Sequence, residues 1–105
     1  MKKYQRLTDY MGVAQLYLRD NCLLRNELTQ DNLKQRILGH WGTVPGLNFI
    51  YANLNYLVWK HSCETLLITG PGHGAPAILA NLFLEGTLKE FYPDFNLDEK
   101  GMSKL

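Results

Sequence analysis

Charge of one sign is missing from this chain: among 105 residues, 11 Lys and Arg stand against 10 Asp and Glu, a formal net charge of +1. Such a balance provides no field to recruit nucleic acid or an anionic membrane. The basic residues are also scattered, and Met1-Lys2-Lys3 is too short to form a patch. Long hydrophobic runs are absent as well, so no segment reads as a bilayer span. The start, MKKYQRLTDYMG, is charged but lacks the apolar core of a signal peptide. Cysteine is scarce: Cys22 and Cys63 lie far apart and outside any CxxC pattern, which excludes a zinc site and a disulfide framework. Both are expected to be reduced thiols in a cytoplasmic protein. Apolar residues make up 46% and charged ones 20%, a composition that excludes disorder and fits a soluble globular chain. The length suits one domain or a piece of a larger one. There is no internal repeat and no low-complexity segment.

Helical periodicity is what the chain has most of. Tyr4, Leu7, Met11, Ala14 and Leu18 recur at helical spacing across 3–19. Thr29 or Asp31 can cap a short helix, NLKQRIL, that Gly39 would end. After a glycine-rich stretch, Pro45 suits a first helical turn. Leu47, Ile50, Tyr51, Leu54, Leu57 and Val58 then form a second stripe ending near His61. On it, Tyr51, Tyr56 and Trp59 read as core or snorkelling aromatics. His61, beside Lys60, reads as a solvated residue favourable to the helix dipole. A third helix begins near Ala75 or Pro76, is apolar on most sides, and stops at Gly86. Glu85, Asp98 and Glu99 read as solvated charges, and Asp94 after Pro93 as a turn residue.

Between the second and third helices, ETLLIT (64–69) reads as a buried strand of parallel type. The expected fold class is therefore α/β, mostly helical, with a strand–glycine loop–helix unit. A single strand cannot make a sheet, so the chain is expected to be part of a larger α/β domain.

Two glycine-rich stretches, GHWGTVPG and GPGHGAPA, each carry a histidine, His40 and His73. Strand, glycine turn and helix is the local architecture of many phosphate sites, since glycine permits close backbone approach and the helix start offers free N–H groups. Gly70, Gly72 and Gly74 would form that turn, with His73 at its lip. Neither GxGxxG nor GK[ST] is present, which excludes the dinucleotide fingerprint and the P-loop. The pattern alone admits a tight connection whose histidine only bonds a neighbour, and GHWGTVPG alone admits an inter-helix loop anchored by Trp41. Their conjunction favours positioned imidazoles that donate hydrogen bonds or carry protons near neutral pH. No serine has a readable histidine–acid pair, so a hydrolase triad has no support.

ILGHWGTVPGLNFIYANLN (37–55) and GPGHGAPAILANLFLEG (70–86) resemble hallmark segments of the phosphoketolases, thiamine-diphosphate enzymes related to transketolases. The likeness extends from the segment around Tyr10-Met11-Gly12 to EFYPD near the end. Cys22, Asn53 and Ala75 depart from the family's usual proline, histidine and glycine. The resemblance implies the N-terminal part, 1–105, of a thiamine-diphosphate-binding domain. It implies cleavage of xylulose 5-phosphate or fructose 6-phosphate by inorganic phosphate, giving acetyl phosphate and an aldose phosphate. It further implies that His40 and His73 are catalytic, that His40 and Thr43 hold substrate, and that Gly70, Gly72, His73 and Gly74 line the cofactor. The family's GDG-type magnesium ligands, its catalytic glutamate and its sugar-phosphate-gripping basic residues have no counterpart here. The chain is thus expected to be inactive alone and to need the rest of the enzyme, on the same or another chain, with relatives forming homodimers. The alternative is a non-catalytic remnant or a small interaction module.

Overall fold

The computed structural model describes residues 1–105. Five helices follow in order: α1 (Lys2–Tyr17), α2 (Thr43–His61), α3 (Ala75–Leu84), α4 (Thr87–Phe91) and α5 (Glu99–Met102), with single 3-10 turns at Gln30–Asn32 and Gly72–Gly74. No helix is long and apolar enough to cross a membrane. α1, α2 and α3 pack on one another, and α4 continues from α3.

The packing follows from small residues at the crossings. A Cβ on Gly12 of α1 would lie 2.5 Å from Val44 Cγ1 of α2, so glycine sets how closely the two helices approach. Leu16, Val44 and Ala77 fill this junction with Leu47 against them, while Met11, Ala14, Cys22, Ala80, Phe83, Leu88 and Met102 form the second core. Full burial of a Leu or Val side chain stabilises by about 1.5–3 kcal/mol. α2 ends where Ser62 turns left-handed at φ 50°, with Lys60 and His61 in its last turn favourable to the dipole. Gly86, at φ 86°, makes the turn from α3 into α4, a conformation that favours glycine.

A polar chain crosses the same interior. The Tyr4 hydroxyl donates to Asn81 Oδ1 at 2.8 Å. Asn81 Nδ2 donates to Asn48 Oδ1 at 2.9 Å and to Ala77 O at 2.7 Å. Asn48 Nδ2 then donates to Asp9 Oδ1 at 2.8 Å. Asn48 and Asn81 are fully buried, and no buried side-chain polar atom lacks a partner. Two residues of α1 and one each of α2 and α3 are thereby linked, which fixes the register of the three helices.

The expected α/β class is not the fold. No strand forms at 64–69; the molecule is helical, and its sole ladder contact is an isolated antiparallel bridge between Leu18 and Leu33. Nor is the segment buried as expected: Leu67 and Thr69 turn inward against α2 and α3, whereas Leu66 and Ile68 are 83% and 82% exposed. Pairing fails too. The backbone groups of 64–70 have no backbone partner, and a strand exists only as a member of a ladder. The strand–glycine loop–helix unit accordingly becomes an extended segment, a 3-10 turn and α3. The helix expected over NLKQRIL is also absent. The chain makes one 3-10 turn under a Thr29–Asn32 capping box, and Leu33 is extended. The bonds Arg19 N–H to Asn32 O (2.7 Å) and Lys34 N–H to Tyr17 O (2.9 Å) hold that segment beside the end of α1 instead. Trp59, read as a core or snorkelling aromatic, is 78% exposed.

Candidate functional site

The first turns of α2 and α3 meet, and the two glycine-rich stretches meet with them. His40 N–H donates to His73 O at 3.0 Å, so the stretches are joined through the main chain. Between the imidazoles stands Thr43, the first residue of α2. Its Oγ1 lies 3.1 Å from His73 Nε2, a contact across 30 positions of sequence, and 3.2 Å from His40 Nδ1. Its N–H, shared with the His40 carbonyl, points at His40 Nδ1 at 3.1 Å. The rings meet edge to face with centroids 5.3 Å apart. Both histidines are exposed, so this is a surface cluster open to a ligand.

The glycines here do different things. A Cβ on Gly42 would lie 2.8 Å from His40 Cε1 and 3.2 Å from its Nδ1, so glycine leaves room for the ring to fold back onto Thr43. A Cβ on Gly74 would lie 2.5 Å from Leu47 Cδ1 and 3.1 Å from Thr43 Cγ2, so glycine lets the 3-10 turn rest on the start of α2. Gly39 adopts φ +124°, and a Cβ there would be 2.3 Å from Leu16 Cδ2. Gly70 and Gly72 are different: nothing lies within 4 Å of an added Cβ on either.

A depression of about 340 Å³ opens beside the cluster, with Lys34, Gly39, Gly72, His73 and Pro76 among its walls. Gln15 braces it from α1 by donating to Pro76 O at 2.9 Å, and Lys34 donates to Gln15 O. No three His, Cys, Asp or Glu side chains gather to hold a metal ion.

The structure therefore brings His40, Thr43, His73 and Gly74 into direct contact, puts Gly72 on the wall of the depression, and leaves Gly70 without a packing partner. His61 sits at the far end of α2 and takes no part. Sequence reasoning overlooked Gly42 and the Asn48–Asn81 bond behind the cluster. Both asparagines lie within apolar stretches of α2 and α3, and a polar residue on a buried face was the available signal. Glu85, read as a solvated charge, accepts from the Tyr51 hydroxyl at 2.8 Å and the Thr87 hydroxyl at 3.0 Å.

Comparison with known proteins agrees with the two quoted segments. Residues 1–105 match the family described as the XFP N-terminal domain. The chain is 50% identical over 105 residues to a "Probable phosphoketolase" of Chlorobaculum tepidum, covering 100% of this chain and 13% of that protein. It is 50% identical over 105 residues to "Probable phosphoketolase 2" of Rhizobium meliloti, covering 100% of this chain and 14% of the relative. Over 102 residues it is 52% identical to a "Probable phosphoketolase" of Nitrosomonas europaea, 97% of this chain and 13% of the other. The chain thus spans 13–14% of the length of these relatives. With a match that runs from its first residue to its last, the chain belongs to the phosphoketolase family, in the region of that family's N-terminal domain.

Proposed function

We propose that this chain supplies one wall of a phosphoketolase active site. That enzyme uses thiamine diphosphate and magnesium to cleave xylulose 5-phosphate or fructose 6-phosphate with inorganic phosphate, yielding acetyl phosphate and an aldose phosphate in the cytoplasm. The observation that carries the reading is the convergence of His40, Thr43 and His73 from the two family-like segments within 3.1–3.2 Å. Exposed imidazoles and a hydroxyl suit a polyhydroxylated substrate and the polar edge of an organic cofactor. When bound, thiamine diphosphate supplies the electron sink for breaking the carbon–carbon bond.

This chain's own residues would orient the ketose and move protons. His40 and Thr43 would hold substrate hydroxyls, and His73 would hold or transfer a proton beside the cofactor. Gly72 and Gly74 would keep that lip low, with Gly70 leading into it. No three His, Cys, Asp or Glu side chains gather in this chain, and this reading gives it no part in holding magnesium. The metal's ligands, the cofactor-activating carboxylate and the grip on the sugar phosphate are therefore assigned to the rest of the enzyme, with a homodimer as the working form.

The test is reconstitution. The chain is mixed or co-expressed with the part of the Chlorobaculum tepidum relative that follows the matched segment, and acetyl phosphate is assayed. Activity is expected only in the mixture. His73→Ala should lower turnover by about 100-fold or more, the scale of a lost general acid–base group, while the complex still assembles. Turnover unchanged by that substitution would remove His73 from the site.

A further inference from the structure

The hydrogen bonds around Thr43 determine more than proximity. A threonine hydroxyl has one proton to donate and lone pairs to accept with, and a neutral imidazole has one donor nitrogen and one acceptor nitrogen. His40 Nδ1 faces the Thr43 N–H at 3.1 Å. A backbone N–H can only donate, so His40 Nδ1 is the acceptor and the ring's proton sits on Nε2. The Thr43 hydroxyl lies 3.2 Å from the same Nδ1. If that hydroxyl gave its proton to His73, its oxygen would confront His40 Nδ1 lone pair to lone pair. The arrangement without that clash has the hydroxyl donating to His40 Nδ1 and accepting from His73 Nε2–H at 3.1 Å. Every contact is then satisfied in one direction: His73 Nε2–H to Thr43 Oγ1, Thr43 Oγ1–H and N–H to His40 Nδ1.

We propose that Thr43, beyond holding substrate through its remaining lone pair, is also a positioning residue that fixes both imidazoles in the Nε2–H tautomer. His40 then presents a donor, Nε2–H, and His73 presents an acceptor, Nδ1, on adjacent rings. Neither of these nitrogens has a hydrogen-bond partner in the protein, and both side chains are exposed. A donor beside an acceptor matches a ligand with a carbonyl next to a hydroxyl, which is the reacting end of a ketose. That ligand class rests on the phosphoketolase reading; the tautomers do not. Gly42 belongs to the same device, because a Cβ there would crowd the His40 ring at 2.8 Å and 3.2 Å.

The experiment is nitrogen-15 NMR of the histidine rings in the full 105-residue chain, at alkaline pH with no ligand added. Each of His40 and His73 is expected as a single Nε2–H tautomer, its Nδ1 showing the shift of an unprotonated nitrogen. In Thr43→Val the hydroxyl is gone but the N–H remains. His40 should keep its tautomer with a displaced Nδ1 resonance, and His73 should relax to the exchanging mixture of a free imidazole. Thr43→Ser should restore both wild-type patterns. A protonated Nδ1 on either ring, free-imidazole averaging in the wild type, or identical spectra for wild type and Thr43→Val would overturn the proposal. If Thr43→Val does not fold, the wild-type and Thr43→Ser spectra decide alone. Failure of the sugar-phosphate reading would leave all these spectra as described, so the two ideas fail separately.

Discussion

At Gly42 the backbone is right-handed helical, φ −62° and ψ −30°, so alanine is allowed there by conformation. The obstacle is the movable His40 ring. Gly42→Ala should therefore leave the urea midpoint nearly unchanged while driving His40 off Thr43, visible as loss of the single His40 tautomer. Gly101 is the opposite case. Its added Cβ would lie 1.8 Å from the Asn96 carbonyl oxygen, part of the main chain, which cannot swing away. Gly101→Ala should destabilise by about 1–3 kcal/mol, as overpacking does, and release α5 first. The tyrosines carry a pH prediction. Burial, assisted by Glu85, pushes the Tyr4 phenol up to about 12. Burial and the hydrogen bond to Glu85 raise Tyr51 as well. A folded-state value above the unfolded 10.0 means the unfolded chain releases its proton first as pH rises. The stabilisation is thus complete below about pH 10 and is lost as pH climbs toward 12. An ultraviolet titration should show these phenols ionising late in the native chain, and Tyr4→Phe should flatten the loss of stability over that window.

Between elements, the Asn48–Asn81 bond joins α2 to α3, and its extensions to Tyr4 and Asp9 bring in α1. Asn81→Leu would leave the buried Asn48 Oδ1 without its donor and free the half-buried Tyr4 hydroxyl, an expected loss of about 1–3 kcal/mol, most of it from the unsatisfied Asn48 oxygen. Asn48→Leu/Asn81→Leu together should cost less than the two single losses summed, measured by urea denaturation, because the second change removes a group the first left unpaired. The helices themselves were plain in the sequence. The stripes of α1 and α2 and the glycine turn before α3 lie close to where periodicity and punctuation put them, since these helices are held by local spacing and one buried face. Thr43 was also singled out, as a pocket residue, although nothing local reveals that it stands between two histidines from different stretches. The strand at 64–69 was misread for the complementary reason. A short apolar run with β-branched residues between turns suits a strand, but pairing is a property of two segments. NLKQRIL failed similarly: its helical spacing lost to the bridge between Leu18 and Leu33.

For the whole molecule, the extents of 46 × 28 × 24 Å and a radius of gyration of 14.2 Å exceed the roughly 13 Å of a compact 100-residue domain. Only 17 of 105 residues are buried, and Trp59, Leu66, Ile68 and Phe91 stand more than 70% exposed. Apolar surface of this kind promotes association. Sedimentation should show concentration-dependent self-association, and Leu66→Lys/Ile68→Lys should reduce it without lowering the urea midpoint. Thiamine diphosphate with magnesium should not raise the melting temperature of the chain by itself, since no three His, Cys, Asp or Glu side chains gather to hold the metal. A clear ligand-dependent rise would overturn that. The joint between the two histidine-bearing stretches has one more consequence. It runs from the His40 amide to the His73 carbonyl, atoms that nearly every amino acid possesses. Anchorage and the proposed chemistry are therefore written on separate atoms of the same two residues. Either imidazole can be exchanged for another side chain while the stretches stay docked, and proline at 40 is the one replacement that would undo the clasp.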